Sequence, residues 1–256
     1  MSAPKGDYEL DVVAVRAAAA DVVEIELAGR GAALPDWEPG AHIDLVLPSG
    51  LVRQYSLAGV PGAGTWRIGV LREDAGRGGS RWIADKLSEG AVLRASGPRN
   101  HFSLPETEAG VPLVFVAGGI GITPILPLAA AARAEGREVW VHYAGHEGRM
   151  PFVDELRAVH GDRLTLHVSE VGSRLDVDAL VAEHGVPAVA LGTIALAWFV
   201  WDRALARTLV RPPAGDGGGA AGLAAVGGHA ALLATPGFGA TQAGRARRVV
   251  SLDALF

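Results

Sequence analysis

The stretch Gly118-Gly119-Ile120-Gly121-Ile122-Thr123-Pro124 constrains this chain more than any other. An apolar run over 113–117 leads into it, and an alanine-rich helical pattern over 124–135 leaves it. Strand, glycine loop and helix, in that order, bring backbone amides to a phosphate in α/β proteins. The glycines permit positive φ and keep a Cβ out of a ligand's path. Thr123 suits a helix cap and Pro124 a first turn. The spacing is G-G-x-G-x-T-P and not the dinucleotide fingerprint G-x-G-x-x-G, and a plain strand-to-helix turn reads the same way.

Before the loop the pattern is β. Residues 8–28 read as two strands, with Val23, Ile25 and Leu27 alternating with Glu24 and Glu26. Further strands are expected at 42–47, 51–57, 66–71 and 91–95, and one helix at 80–89. Six short strands with turns between them predict a small antiparallel barrel over residues 1–108. After it, strands at 113–117, 138–143, 163–168 and 188–191 alternate with helices at 124–135, 151–160 and 176–183. That alternation predicts a parallel sheet with flanking helices over 109–210. Residues 211–256 form a Gly/Ala-rich tail without a clear period, and no element is assigned there.

Composition narrows the chemistry. The chain has no cysteine, so it offers no thiolate nucleophile, disulfide or cysteine-held cluster. Its eight histidines show no metal-ligand spacing, and neither His-Glu-x-x-His nor G-x-S-x-G occurs. No metal is expected. The net charge of −5, with basic residues scattered, argues against nucleic acid as a main partner. The polar start of the chain and an apolar maximum, at 188–201, shorter than the roughly 20 residues of a bilayer span predict a cytoplasmic protein without a membrane partner.

Two more segments carry chemistry. In Arg53-Gln54-Tyr55-Ser56-Leu57, alternation puts Arg53, Tyr55 and Leu57 on one face and Gln54 and Ser56 on the other. Arg53 is suited to a phosphate, Tyr55 to a flat ring, and Ser56 or its backbone to a polar ring edge. Alone, the pentapeptide reads better as an ordinary strand with a surface arginine. Gly78-Gly79-Ser80 ahead of a helix is either an anion site or a simple helix start.

Six segments together are more specific. Trp37-Glu38-Pro39-Gly40-Ala41-His42, Arg53-Gln54-Tyr55-Ser56-Leu57, Gly76-Arg77-Gly78-Gly79-Ser80, Pro98-Arg99-Asn100-His101-Phe102, the glycine loop, and Pro151-Phe152-Val153-Asp154-Glu155-Leu156 match in order and spacing the ferredoxin–NAD(P) reductase superfamily. The chain resembles its phthalate dioxygenase and vanillate demethylase reductases over residues 8–185. The resemblance implies a six-stranded antiparallel flavin-binding β-barrel followed by a parallel-sheet nucleotide-binding α/β domain.

By the same resemblance Arg53, Gln54, Tyr55 and Ser56 hold the flavin. Gly78, Gly79 and Ser80 take its phosphate, in the form used with FMN more than with FAD. Gly118, Gly119, Gly121 and Thr123 line the site for NAD(P)H, with Arg149 toward its ribose or phosphate and Gly192 at the fourth α/β strand. Ser56 and Thr123 are the catalytic candidates, Ser56 as hydrogen-bond partner of flavin N5. His42 and His101 read as barrel structure, and Phe256 as a surface residue and not a cover for the ring.

Two departures bear on function. The family's Cys-Gly-Pro at the end of the fourth α/β strand is matched here by Leu191-Gly192-Thr193. The plant-type ferredoxin domain of many relatives, with its four cysteines, has no counterpart in this sequence. The expected activity is electron passage from NAD(P)H through flavin to a separate acceptor, such as an iron–sulfur oxygenase component or a ferredoxin. Two readings stand beside it. One is a non-catalytic flavin-binding relative with a degenerate nicotinamide site, its C-terminus after about residue 185 either read in a shifted frame or divergent but real. The other is a nucleotide-binding α/β protein without flavin.

Overall fold

Period-two alternation builds the first sheet. β1 (Gly6–Ala19), β2 (Val22–Gly29), β3 (Ala41–Val46), β4 (Val52–Ser56), β5 (Thr65–Leu71) and β6 (Val92–Asn100) pair antiparallel in the order β4-β3-β6-β1-β2-β5. In this computed structural model residues 6–104, 111–172, 175, 179–180, 188–191 and 248–251 are described. Leu57 bridges to Ile68, and the Ala58 N–H donates to the Arg67 carbonyl at 2.8 Å, so the chain leaving β4 returns to β5 and closes a barrel. Ile25, Leu27, Ile43, Leu45, Trp66, Ile68 and Val70 fill its interior, all at most 1% exposed. Burying such a side chain fully contributes about 1.5–3 kcal/mol.

The second sheet is parallel throughout. β7 (Leu113–Gly118), β8 (Val139–Gly145), β9 (Leu164–Val168), β10 (Ala188–Leu191) and β11 (Arg248–Ser251) lie in the order β11-β10-β7-β8-β9. β7 is buried on both faces, as a central parallel strand must be. Phe115 and Ala117 pack with α2 (Ile122–Ala134), whereas Val114 and Val116 pack with Leu175 and Leu180. The expected fold class, antiparallel barrel then parallel α/β sheet, is the one observed.

Element limits differ where side chains compete with local signals. The expected strand at 91–95 runs on to Asn100, because Gly97-Pro98 reads as a breaker but the segment keeps pairing with β1 and β3. The helix expected to reach residue 89 is α1 (Gly79–Lys86), since Leu87 turns extended to bury itself against the barrel. The helix expected from residue 151 is α3 (Val153–His160), entered through Phe152 in the left-handed region at φ 63°. β11 falls in the tail where no element was assigned; it pairs with β10 from Ala188↔Arg248 to Leu191↔Ser251. Of the helix expected at 176–183, only Ala179 and Leu180 are among the described residues, and both are helical. Among the described residues no helix is long and apolar enough to cross a membrane, and no group of three or more His, Asp or Glu is placed to hold a metal ion.

Candidate functional site

Strand register fixes the first half of the site. On β4 Arg53 and Tyr55 stand opposite Leu45 and Ile43, so they share the core-side face. Arg53 is 8% exposed, an unusual burial for a guanidinium. Its Nη1 donates to the Val52 carbonyl at 2.8 Å, and no carboxylate pairs with it among the described residues. The guanidinium lies against Gly79: a Cβ there would stand 2.9 Å from Arg53 Nε. Two of the six sequence segments thus meet, a cationic fork beside the start of a helix.

That helix start is open to an anion. Gly78 caps α1 at φ 85° with no side-chain cap bond, and its first turn carries no acidic residue. Ser80 turns its hydroxyl away from the first turn's amides to accept from the Glu73 N–H at 3.2 Å. Tyr55 is half-buried, and burial pushes its phenol above the usual value although Arg53 opposes this. Burial also raises the Glu73 carboxyl, again against Arg53. A buried arginine that makes no ion pair with a carboxylate, uncapped amides and a half-buried phenol ring fit a phosphate-bearing aromatic cofactor.

Gln54 and Ser56 face the other way. Gln54 is exposed and bonds Asp44, its register partner. Burial would raise the Asp44 carboxyl, but hydrogen bonds from Arg99 and Gln54 outweigh it and hold it below the usual range. Ser56 stands opposite His42. Because Leu57 N–H donates to Ala41 C=O, the His42–Ser56 pair is of the close, non-hydrogen-bonded type. His42 is 3% exposed, and its Nδ1 has no hydrogen-bond partner among the described residues.

The glycine loop is tighter than expected. After Gly118 a 3-10 turn over Gly119–Gly121 leads directly into α2. Only Gly119 needs positive φ, at 51°; Gly118 and Gly121 sit at −128° and −60°. A Cβ on Gly119 would meet nothing within 4 Å, so this backbone is open to approach. Thr123 is not the cap; Gly121 is, and the Thr123 hydroxyl donates to the Ile120 carbonyl at 3.0 Å. The hydroxyl of fully buried Tyr143 on β8 donates to the Gly119 carbonyl at 2.9 Å and pins the loop from below.

The loop rests on the barrel. Gly69 of β5 faces it so closely that a Cβ would lie 2.9 Å from Thr123 Cγ2, 3.2 Å from Ile120 Cδ1 and 3.3 Å from Phe152 Cε2. Arg149 lies at the same seam, and its Nη2 reaches Asp21 of the β1–β2 turn at 3.3 Å. Gly192 and Phe256 lie outside the described residues, as does Thr193. Sequence reasoning did not single out Tyr143, Gly69 or Arg67. Their signals are a tyrosine in an apolar strand, a glycine inside a strand and an arginine in an alternating one, each ordinary until the two sheets are brought together. A cleft of about 290 Å³ lined by Arg133, Gly136, Arg137, His160, Asp162 and Arg163 lies at the other end of the parallel strands, away from the loop.

Two histidines make stability depend on pH. Burial lowers His42 to about 4, with Arg99 and His101 adding to it and Asp44 opposing; burial and then Arg133 lower His160 to about 4. Both are neutral in the folded chain at pH 6, whereas an unfolded histidine with a pKa near 6.5 takes up a proton. Stability is therefore retained above about pH 6.5 and lost as pH falls toward 4, by about 2–3 kcal/mol per histidine. Urea midpoints at pH 7 and 5 test this: His160→Gln should shrink the difference between them.

No family model matches the chain. It is 43% identical over 169 residues to a putative toluene-4-sulfonate monooxygenase system reductase subunit of Comamonas testosteroni, covering 64% of this chain and 53% of that one. It is 43% identical over 154 residues to a vanillate O-demethylase oxidoreductase of a Pseudomonas strain, covering 58% and 47%. The chain thus spans about half the length of these curated relatives. Among solved structures, phthalate dioxygenase reductase superposes with a TM-score of 0.66 at 31% identity, over 76% of this chain and 62% of that one. With its six segments in order on a barrel followed by a parallel sheet, the chain resembles, in sequence and fold, the reductases of phthalate dioxygenase and vanillate demethylase type in the ferredoxin–NAD(P) reductase superfamily.

Proposed function

We propose that this chain is an NAD(P)H-dependent flavoprotein reductase that passes electrons to a separate acceptor, an iron–sulfur oxygenase component or a ferredoxin. The observation that carries it is the buried Arg53 guanidinium, without a carboxylate partner among the described residues, held against Gly79 at the uncapped start of α1. A bound flavin supplies the chemistry these side chains lack, taking two electrons as hydride and releasing them singly. Arg53 and the first-turn amides of α1 would hold its phosphate, Tyr55 would stack on its ring, and the Ser56 backbone at the strand end would offer a hydrogen bond at the ring edge. Gly118, Gly119 and Gly121 admit the nicotinamide nucleotide. The Thr123 hydroxyl is already engaged by Ile120, so its part is to hold the loop on β5.

FMN fits better than FAD, since Arg53 and one helix start make a single phosphate seat. NADH is the preferred donor. Arg149 is drawn to Asp21, and the Glu170 carboxylate accepts from the Glu147 N–H at 3.1 Å and meets His146 Nδ1 at 2.9 Å beyond the ends of β8 and β9. A carboxylate at such a strand end suits a ribose hydroxyl and repels a 2′-phosphate. The names of the relatives, a monooxygenase system reductase subunit and an O-demethylase oxidoreductase, support the acceptor class.

The test is a visible spectrum followed by NADH under anaerobic conditions. A yellow protein whose flavin bands bleach is expected, with NADH acting faster than NADPH. A yellow protein that neither nucleotide bleaches overturns the reductase reading. A folded protein that stays colourless with added FMN and FAD overturns the flavin assignment.

A further inference from the structure

One barrel side chain contacts two residues of the α/β unit and two of the barrel itself. Arg67 of β5 donates from Nη1 and Nη2 to Glu155 Oε2 and Oε1 at 2.9 and 2.8 Å, a two-pronged bond to the first turn of α3. Its Nε donates to the Ala58 carbonyl at 3.0 Å, and Nη2 reaches the same carbonyl. Its guanidinium carbon lies 5.3 Å from the centre of the Phe152 ring. Glu24 stands 3.7 Å from Nη1. Such a fork-to-fork pair is directional as well as strong, and a planar guanidinium also favours a ring face.

The placement of this knot matters more than its strength. Ala58 is two residues beyond Ser56, at the end of the strand that carries Arg53 and Tyr55. Gly69, two residues on from Arg67 and on the same face of β5, receives Thr123 and Ile120 of the glycine loop. Phe152, under the guanidinium, is the only non-glycine residue of positive φ among the described residues. A left-handed phenylalanine costs on the order of 1–2 kcal/mol, and such strain persists where surroundings enforce it and concentrates at functional sites. Arg67 therefore joins the flavin strand, the seat of the nucleotide loop and a strained helix entry.

We infer that Arg67 and Glu155 are positioning residues, which set the spacing between the flavin strand and the nucleotide loop. The inference rests on the reductase reading above, and its test separates the two. The chain has no native cysteine, so cysteines placed at the exposed Val92 of the barrel and Glu135 after α2 take spin labels site-specifically. Pulsed electron–electron distances are measured on the apoprotein, where no cofactor is needed. The parent should give one narrow distance. Arg67→Ala and Glu155→Ala should each broaden it, Glu155→Gln less so.

With cofactor added, the same two alanine variants should reduce flavin with NADH about 10–100-fold more slowly, the scale of a misplacement near 1 Å. Flavin affinity and reduction by dithionite should stay at the parent's level. The double variant should be no slower than Arg67→Ala alone, since each residue acts through the other. Narrow distances in both variants, or independent multiplicative losses, overturn the inference even if the protein is a reductase. Broadened distances in a protein that never bleaches leave the docking role standing and sink the reductase reading.

Discussion

Arg53→Ala is expected to purify without flavin and to rebind FMN about 10–100-fold more weakly than the parent. A hydrogen bond from a charged group contributes about 1.5–3 kcal/mol, and each 1.4 kcal/mol is tenfold in affinity. Arg53 is placed for such bonds: it is 8% exposed, makes no ion pair or hydrogen bond to a carboxylate among the described residues and lies on an α1 start without a side-chain cap. Little else in the fold depends on it. The one hydrogen bond given up is to the carbonyl of Val52. Fluorescence titration with FMN gives the affinity, and far-UV circular dichroism checks that the barrel is intact. Gly79→Ala should approach the same result by another route. Its Cβ would sit 2.9 Å from Arg53 Nε and 3.2 Å from Arg53 Cγ, so the guanidinium must leave its seat. Parent-like FMN binding by both variants would remove Arg53 from the site.

How much of this was legible in the sequence follows from the range of each signal. The barrel strands and the βα alternation were readable, because Val23, Ile25 and Leu27 against Glu24 and Glu26 is a local pattern and the wholly apolar 113–117 run is another. Errors came where a local breaker lost to a tertiary partner. Gly97-Pro98 did not end β6, since β1 and β3 both keep pairing with it. Leu87 left its helix because the barrel core offered more burial than another turn. In the candidate site, Arg53 and Gly79 are each found by motif, but their contact across 26 positions is not, and it is on that contact that the proposed phosphate seat rests.

Arg67, Glu155, Gly69 and Tyr143 escaped for the same reason. Arg67 reads as the polar member of an alternating strand and Glu155 as an acidic residue in a first helical turn, an ordinary place for one. Nothing in either neighbourhood says that they face each other 88 positions apart. Gly69 carried a weak clue, as a glycine inside a strand marks a close approach of another backbone or ligand. β11 could not be read at all: four residues in a Gly/Ala-rich tail become a strand only beside β10.

Gly69→Val should separate flavin binding from flavin reduction by NADH more sharply than any other single change. A first methyl already stands 2.9 Å from Thr123 Cγ2, and valine adds two more carbons toward Ile120 and Phe152. Thr123 cannot yield by rotation, because it is β-branched, 5% exposed and bonded through its hydroxyl to Ile120. The Gly119–Gly121 turn must therefore lift as a unit, working against the Tyr143 hydroxyl that holds the Gly119 carbonyl from the other side. Overpacking of this kind costs about 1–3 kcal/mol of stability, while a loop displaced by about 1 Å costs about a hundredfold in the reaction it positions. The strand and helix start proposed to hold flavin are untouched, as Arg53, Tyr55 and Gly79 lie on other elements. FMN content and photoreduction should match the parent, and anaerobic stopped-flow reduction by NADH should slow about 100-fold. Gly69→Ala should fall between the two. If NADH reduces the valine variant at the parent rate, the glycine loop does not deliver the nucleotide across β5, and the site must be sought elsewhere on the sheet.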